Sequence, residues 1–249
     1  MERRFSEVHR SIRVLDIHRA SVVLALLTAV ATGAFIFYYR IDLATFHQEA
    51  VGFLLSHIGI PVAGLAHISM PGGLDVPTPL VAVAGYTDRS TLMAVTGIAA
   101  SVVGLALFFL FRVSRMLLGL MLVLLAASYL NVLLGGQFGS DATAFSALWI
   151  RFEIVIWFFV PFLMALFAGI VIPDVPRTIF WIVAPTIYAI VWSVIRLTFC
   201  LGVLQLTGPL LAPVLWFLMG SLADVLYIST FYSFVAWHAG SIRSGSGSE

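Results

Sequence analysis

Long apolar stretches separated by short polar breaks dominate the chain, at residues 20–39, 91–111, 116–135, 147–172, 178–206 and 210–238. Each approaches or exceeds the roughly 20 helical residues needed to cross a bilayer's hydrocarbon. The pattern predicts an all-α polytopic membrane protein with about six transmembrane helices. The first run continues through Phe35-Ile36-Phe37-Tyr38-Tyr39, longer than a secretory signal core, and reads as a retained anchor. Within residues 1–19, Phe5, Val8, Ile12 and Leu15 recur at helical spacing with arginines mostly on other faces, the signature of a cytoplasmic amphipathic basic helix on the inner leaflet. The segment 41–90 differs. Phe46, Val51, Leu54 and Leu55 suggest a helix resting on the outer leaflet, after which Pro61, Pro71-Gly72-Gly73, Pro77 and Pro79 favour extended or turning backbone. Val81-Ala82-Val83-Ala84 reads either as a short strand or as the top of the second span. The expected division is residues 1–19, a six-span membrane domain over 20–239, and a tail over 240–249 whose Ser244-Gly245-Ser246-Gly247-Ser248-Glu249 looks like a linker scar.

Composition agrees, with 61% hydrophobic and 10% charged residues, against the roughly 25% charged content of soluble domains. All 13 basic residues are arginine and the net charge is +1, so no polybasic surface is present and nucleic acid is not an expected partner. Arg3, Arg4, Arg10, Arg13 and Arg19 precede the first span, Arg112 and Arg115 divide the second and third, and Arg177 and Arg243 fit the same side. By the positive-inside rule both termini are cytoplasmic, and loops 41–90 and 136–146 face outward. The single cysteine, Cys200, excludes an internal disulfide and a multi-cysteine metal cluster. His47, His57 and His67 recur every ten residues. Ten helical residues turn by about 280° net, so the three share no helical face and no metal site or cofactor is expected.

Ionisable groups inside apolar spans are costly unless paired and are therefore candidate functional residues. Arg151 and Glu153 fall early in the fourth span, Arg196 late in the fifth and Asp224 near the middle of the sixth. Helical rise places Glu153 and Arg196 at similar depth, roughly 10–14 Å below the outer surface, so they are expected to pair, with Asp224 as a second partner for Arg196. Such a pair serves either to fix helix packing or to do chemistry. Asp88, Arg89, Asn131, Arg151 and Cys200 collect at the outer ends of the spans, and with Glu153, Arg196 and Asp224 they define one expected outward cleft. Ser90 and Thr91 suit the N-cap of the second span. Gly202, Gly208 and Gly220 suit close helix contact.

One segment carries a family resemblance. Leu54-Leu55-Ser56-His57-Ile58-Gly59-Ile60-Pro61-Val62, followed by Met70-Pro71-Gly72-Gly73-Leu74-Asp75-Val76, resembles the extracytoplasmic loop of the exosortase/archaeosortase family, with its LLxxxGIPV-like helix end and IxxPGGxxxV-like extended piece. The resemblance covers about residues 41–170. It implies a membrane cysteine peptidase fold with transpeptidase character, using a Cys in a Cys-Ser-Gly-Leu motif, an Arg in an Asn-x-x-Arg motif and a His before the following span. In such a trio the cations stabilise a thiolate and then an oxyanion. Here the nucleophile position falls near Asp88-Arg89-Ser90-Thr91, which has no Cys. Asn131 stands for the motif Asn, but Leu134 occupies the Arg position. The His position falls around Phe152, and no histidine lies between His67 and His238.

The resemblance therefore implies a noncatalytic exosortase-like protein of a bacterial or archaeal plasma (inner) membrane. Its expected role is an accessory or binding subunit of an exopolysaccharide or surface-protein assembly or export system. Membrane lipids, envelope subunits or a transmembrane peptide are its expected partners. One alternative is a membrane cysteine transpeptidase whose site has moved to Cys200, with Arg151 and Arg196 as cations and His57 or His67 closing over the thiol. The other is a small transporter or channel component with Arg151, Glu153, Arg196 and Asp224 along its path. Against it stand the lack of an internal repeat and the scarcity of helix-break signals beyond Pro161, Pro185 and Pro213.

Overall fold

A computed structural model describes residues 19–70, 74–81, 94–95, 97–99, 101–102, 112–133, 142–172, 174–207 and 209–245. In chain order these form α1 (Arg19–Tyr38), α2 (Arg40–His57), β1 (Val62–Met70), β2 (Leu74–Val81), α3 (Arg112–Leu133), α4 (Ala142–Val171) and α5 (Val175–Thr207). A 3-10 turn (Pro209–Leu211), α6 (Ala212–Leu215), a π-helix (Trp216–Leu222) and α7 (Ala223–Gly245) complete the chain. It is a helical membrane protein in which β1 and β2 pair as a two-stranded sheet. Among the described residues four stretches are helical, long and apolar enough to cross a bilayer: Ala20–Tyr38, Ala142–Val171, Val175–Leu206 and Ala212–Trp237. They coincide with the first, fourth, fifth and sixth expected spans. The third expected span coincides with α3, whereas the second lies mostly outside the described residues, as does the expected N-terminal amphipathic helix. The expected outer loop 136–146 is shorter than its bounds, because α4 already begins at Ala142; the expected tail is likewise still helical up to Gly245.

The chain divides into two compact units, one built from Met1–Arg40, Glu153–Val191 and Val225–Glu249, the other from Ile41–Phe152 and Trp192–Asp224. In the first, small residues let helices approach: a Cβ built on Gly169 of α4 would stand 2.7 Å from the Ala25 Cβ of α1, and one on Gly33 would stand 2.9 Å from the Phe162 ring. Close backbone approach of this kind replaces the hydrophobic drive that lipid surroundings do not supply. Trp157, Met164, Ile182 and Ala189 fill the interior, while Leu27, Phe37, Leu166 and Phe180 stay exposed, as side chains facing lipid do.

In the second unit the helix expected on the outer leaflet packs inward instead. Val51 and Leu55 of α2 are fully buried in a cluster with Phe145, Trp149, Leu197, Cys200, Leu201 and Leu204, and Phe46 is left exposed on another face. Periodicity alone cannot distinguish a membrane surface from a protein surface as the cover for an apolar stripe. The helix then stops by a Schellman arrangement: Ile60 N–H donates to Leu55 C=O at 2.9 Å, Gly59 N–H donates to Ser56 C=O at 3.2 Å, and Gly59 takes φ +80°. Glycine is the residue that tolerates this conformation, and Pro61 directly after it cannot continue the helix. The family-like Leu-Leu-Ser-His-Ile-Gly-Ile-Pro string is thus a helix stop. It feeds β1, which pairs antiparallel with β2 through Val62↔Val81, His67↔Pro77 and Met70↔Leu74, with an irregularity between Val62 and Leu65. Pro77 and Pro79 are two apart, so their missing N–H groups fall on one side of β2 and alternate residues remain for the ladder. The strand alternative for Val81 is the one adopted; residues 82–84 lie outside the described residues.

The Gly169 contact generates a prediction. Gly169→Ala should destabilise the protein by about 1–3 kcal/mol, as overpacking does, and Ala25→Gly in the same chain should recover part of the loss. Unfolding curves in detergent for the two single variants and the double variant measure both effects, and additive losses would count against the contact.

Candidate functional site

The second unit contains a buried polar cluster arranged around one face of α5. Ser193, Arg196 and Cys200, at i, i+3 and i+7, lie along this face. Arg196 is 1% exposed and Asp224 3% exposed. Arg196 Nη2 lies 2.7 Å from Asp224 Oδ1. Its Nη1 donates to the carbonyls of Met219, at 2.5 Å, and Gly220, at 3.2 Å, and its guanidinium stands 5.6 Å from the Trp149 ring centroid, within cation–π range.

The π-helix explains why carbonyls are present for Arg196. In an α-helix the Ala223 N–H would bond to Met219 C=O. Here it bonds to Leu218 C=O and Gly220 C=O instead, and Met219 C=O accepts from the guanidinium. The entry to this wide turn is held by aromatic contacts, since the Trp216 ring lies 5.5 Å from Trp149, 5.7 Å from Phe145 and 5.8 Å from Phe152. Sequence, backbone irregularity and charge are therefore coupled: the widened turn is stabilised by a cation, and the cation by the turn and a carboxylate.

A second polar layer comes from α2. His47 Nε2 is 2.6 Å from Ser193 Oγ, and Ser146 Oγ donates to Gln48 Oε1 at 3.0 Å, with all four side chains buried. Burial holds the His47 imidazole down to about 3 from 6.5; the Ser193 contact opposes the shift and the Arg196 charge adds to it. His47 is a neutral ring at ordinary pH. Cys200, fully buried, is packed among Leu197, Leu201, Leu204, Val51 and Leu55. Such surroundings suit an inert thiol, because reactivity needs partial exposure and an unspent cation.

Of the residues expected in one cleft, the structure brings Arg196 and Asp224 together. Asp88 and Arg89 lie outside the described residues. Asn131 is in the last turn of α3, and its side chain is outside the description. Arg151 is exposed on α4, whereas Arg196 is buried. Glu153 is buried, at 1% exposure, and belongs to the first unit. The closest described carboxylate of the second unit to Arg196 is thus Asp224, which had been expected only as its second partner. His57 is not closed over Cys200: it is exposed and bonds the Phe53 carbonyl of its own helix at 2.9 Å, and His67 lies in β1 opposite Pro77. Pro161 and Pro185 sit inside uninterrupted helices, and the break in the last span instead follows Pro213. Among the described residues no group of three or more His, Cys, Asp or Glu side chains is placed to hold a metal ion.

No family model, curated protein or solved structure matches this chain.

Sequence reading missed His47, Gln48, Ser146 and Ser193, and treated His47 as an ordinary loop histidine. A signal was present. Ala44, Gln48, Val51 and Leu55 recur at helical spacing, so a polar amide sits inside an apolar stripe, where it needs a buried hydrogen-bond partner. The π-helix left no comparable mark.

Two predictions follow from the cluster. Arg196→Met and Asp224→Leu should each cost about 3–5 kcal/mol, the cost of stranding one buried charge, while the double variant should cost far less than their sum; denaturant unfolding in detergent measures the cycle. For His47, the native state binds its proton near pH 3 and the unfolded chain near pH 6.5. Between these values the unfolded state binds more protons, so stability is full above the upper value and falls as the medium is acidified, by about 1.4 kcal/mol per pH unit. His47→Gln, whose amide can still meet Ser193, should flatten this fall by about 3 kcal/mol near pH 4.5. An unchanged pH–stability profile would remove His47 as its source.

Proposed function

We propose that this chain is a noncatalytic membrane protein with an exosortase/archaeosortase-like core, six spans and cytoplasmic termini, serving as an accessory or binding subunit of a cell-envelope assembly or export system in a bacterial or archaeal plasma membrane. The observation that carries the noncatalytic reading is the state of the groups a relocated cysteine site would need. Cys200 is fully buried in apolar packing, and Arg196, one turn away, is engaged by Asp224 and two carbonyls. A thiolate needs a cation to hold it and an approach for the substrate, and Arg151 is exposed elsewhere on α4. The helix stop built by Leu55-Ser56-His57-Ile58-Gly59-Ile60 supports the relation to the family, since this piece of the motif has a defined backbone role. The transporter reading draws support from the wide turn at 216–222, because interrupted helices present carbonyls in transporters. In this chain those carbonyls face a guanidinium, which occupies the position an ion would need.

The single cysteine makes the test clean. Iodoacetamide should alkylate Cys200 of the native protein in detergent at least about 100-fold more slowly than in the denatured chain, and the rate should show no thiolate plateau below neutral pH. Rapid alkylation near pH 6, abolished by Arg196→Gln, would overturn the noncatalytic reading in favour of a relocated cysteine site.

A further inference from the structure

In the second unit a groove of about 580 Å³ runs beside the C-terminal end of α5, within the roughly 300–1,000 Å³ typical of ligand sites. One wall is the helix stop Ile58-Gly59-Ile60; the other is formed by Phe199, Gly202 and Leu206 of α5. The two walls meet where Gly202 lacks a side chain, since a Cβ there would come within 3.3 Å of Ile60 Cδ1. The groove's α5 wall lies within the membrane-crossing stretch Val175–Leu206.

Its chemistry narrows the occupant. Among the described residues the lining carries no charged side chain. Two polar side chains remain, and the Thr198 hydroxyl is already donated to Val194 C=O at 2.8 Å. Gln205 is left, at the end of α5, so the groove is apolar along its length and offers an amide at one end. From Thr198 to Leu206 the helix rises about 12 Å, close to the roughly 15 Å hydrocarbon depth of one leaflet. A protein helix would need a longer seam of small residues on this face, where Phe199, Val203 and Leu206 flank a single glycine.

We propose that this groove holds the acyl chain of a membrane lipid, with the chain running from Gln205 toward Thr198 and the Gln205 amide donating to an oxygen that links the chain to its head group. The site names a ligand class for the binding role proposed above and rests on the membrane-spanning reading of the chain. The uncharged lining selects a phospholipid, because its neutral ester oxygen suits the Gln205 amide, whereas a free fatty acid would bring a carboxylate to a lining with no cation to meet it.

Photo-crosslinking tests it. The full chain is reconstituted in phosphatidylglycerol vesicles containing either a phospholipid with a diazirine on its acyl chain or a diazirine fatty acid, irradiated, and mapped by mass spectrometry. Adducts should concentrate at Ile58–Ile60 and Phe199–Leu206 above the lipid-exposed Leu163 and Leu166. The phospholipid probe should label the groove, and labelling by the fatty acid alone would overturn the assignment. Gly202→Leu, which fills the groove, should reduce the local adducts roughly tenfold. Leu206→Glu, at a position 84% exposed, places a negative charge beside the anionic head group without disturbing packing and should act in the same direction with an unchanged melting temperature. Uniform labelling of the apolar surface, or retained groove adducts in the folded Leu206→Glu protein, would overturn the proposal. Cys200 alkylation is read separately, so failure of the lipid site and failure of the noncatalytic reading are distinguishable.

Discussion

A guanidinium at 1% exposure, in a protein that is 61% hydrophobic, sets the terms for its neighbours. Arg196 cannot become neutral to escape burial, as a lysine does by losing a proton or a carboxylate by gaining one. It must therefore find a carboxylate and hydrogen-bond acceptors within reach. Asp224 supplies the charge, and Met219 and Gly220 supply carbonyls. Both carbonyls belong to a π-helix, a widened turn itself supported at Trp216 by Phe145, Trp149 and Phe152. One buried cation thereby ties the last span's irregular backbone to α5.

The same face of α5 explains the inward turn of α2. Ser193 presents a hydroxyl that His47 meets, Ser146 of α4 meets Gln48, and between these bonds Val51 and Leu55 fill the apolar cluster. Buried polar pairs of this kind add little net stability but make alternative packings expensive, since a shift of one residue would leave each partner unsatisfied. They thus fix the rotation of α2. With that rotation set, the Schellman stop at Gly59 delivers Ile60 to the side of α5 at Gly202, and the groove beside α5 is a consequence. Cys200 lies within the apolar cluster of this arrangement, which accounts for its burial.

Much of this was legible in residue order because the physics is local. Run length and apolar content predicted helices long and apolar enough to cross a bilayer, Gly59-Ile60-Pro61 marked the end of α2, and Pro77 and Pro79 marked extended backbone. Arg196 and Asp224 were singled out because a charge in an apolar run must be paired somewhere. Gln48 was equally legible, by its place between Ala44, Val51 and Leu55, and was passed over because its loop was read as membrane-facing.

What residue order determined was each segment's need: which helices had to avoid water, which charges had to find partners and where a helix had to stop. What tertiary structure decided was the partner. Arg196 meets Asp224 together with two carbonyls, a set that exists only after residues 216–222 adopt a wide turn. The amphipathic face of α2 covers a protein interior instead of a leaflet. Both outcomes depend on which surface reaches a group first in three dimensions, and hydrophobic periodicity has no term for that choice, because lipid and protein interiors exclude water alike.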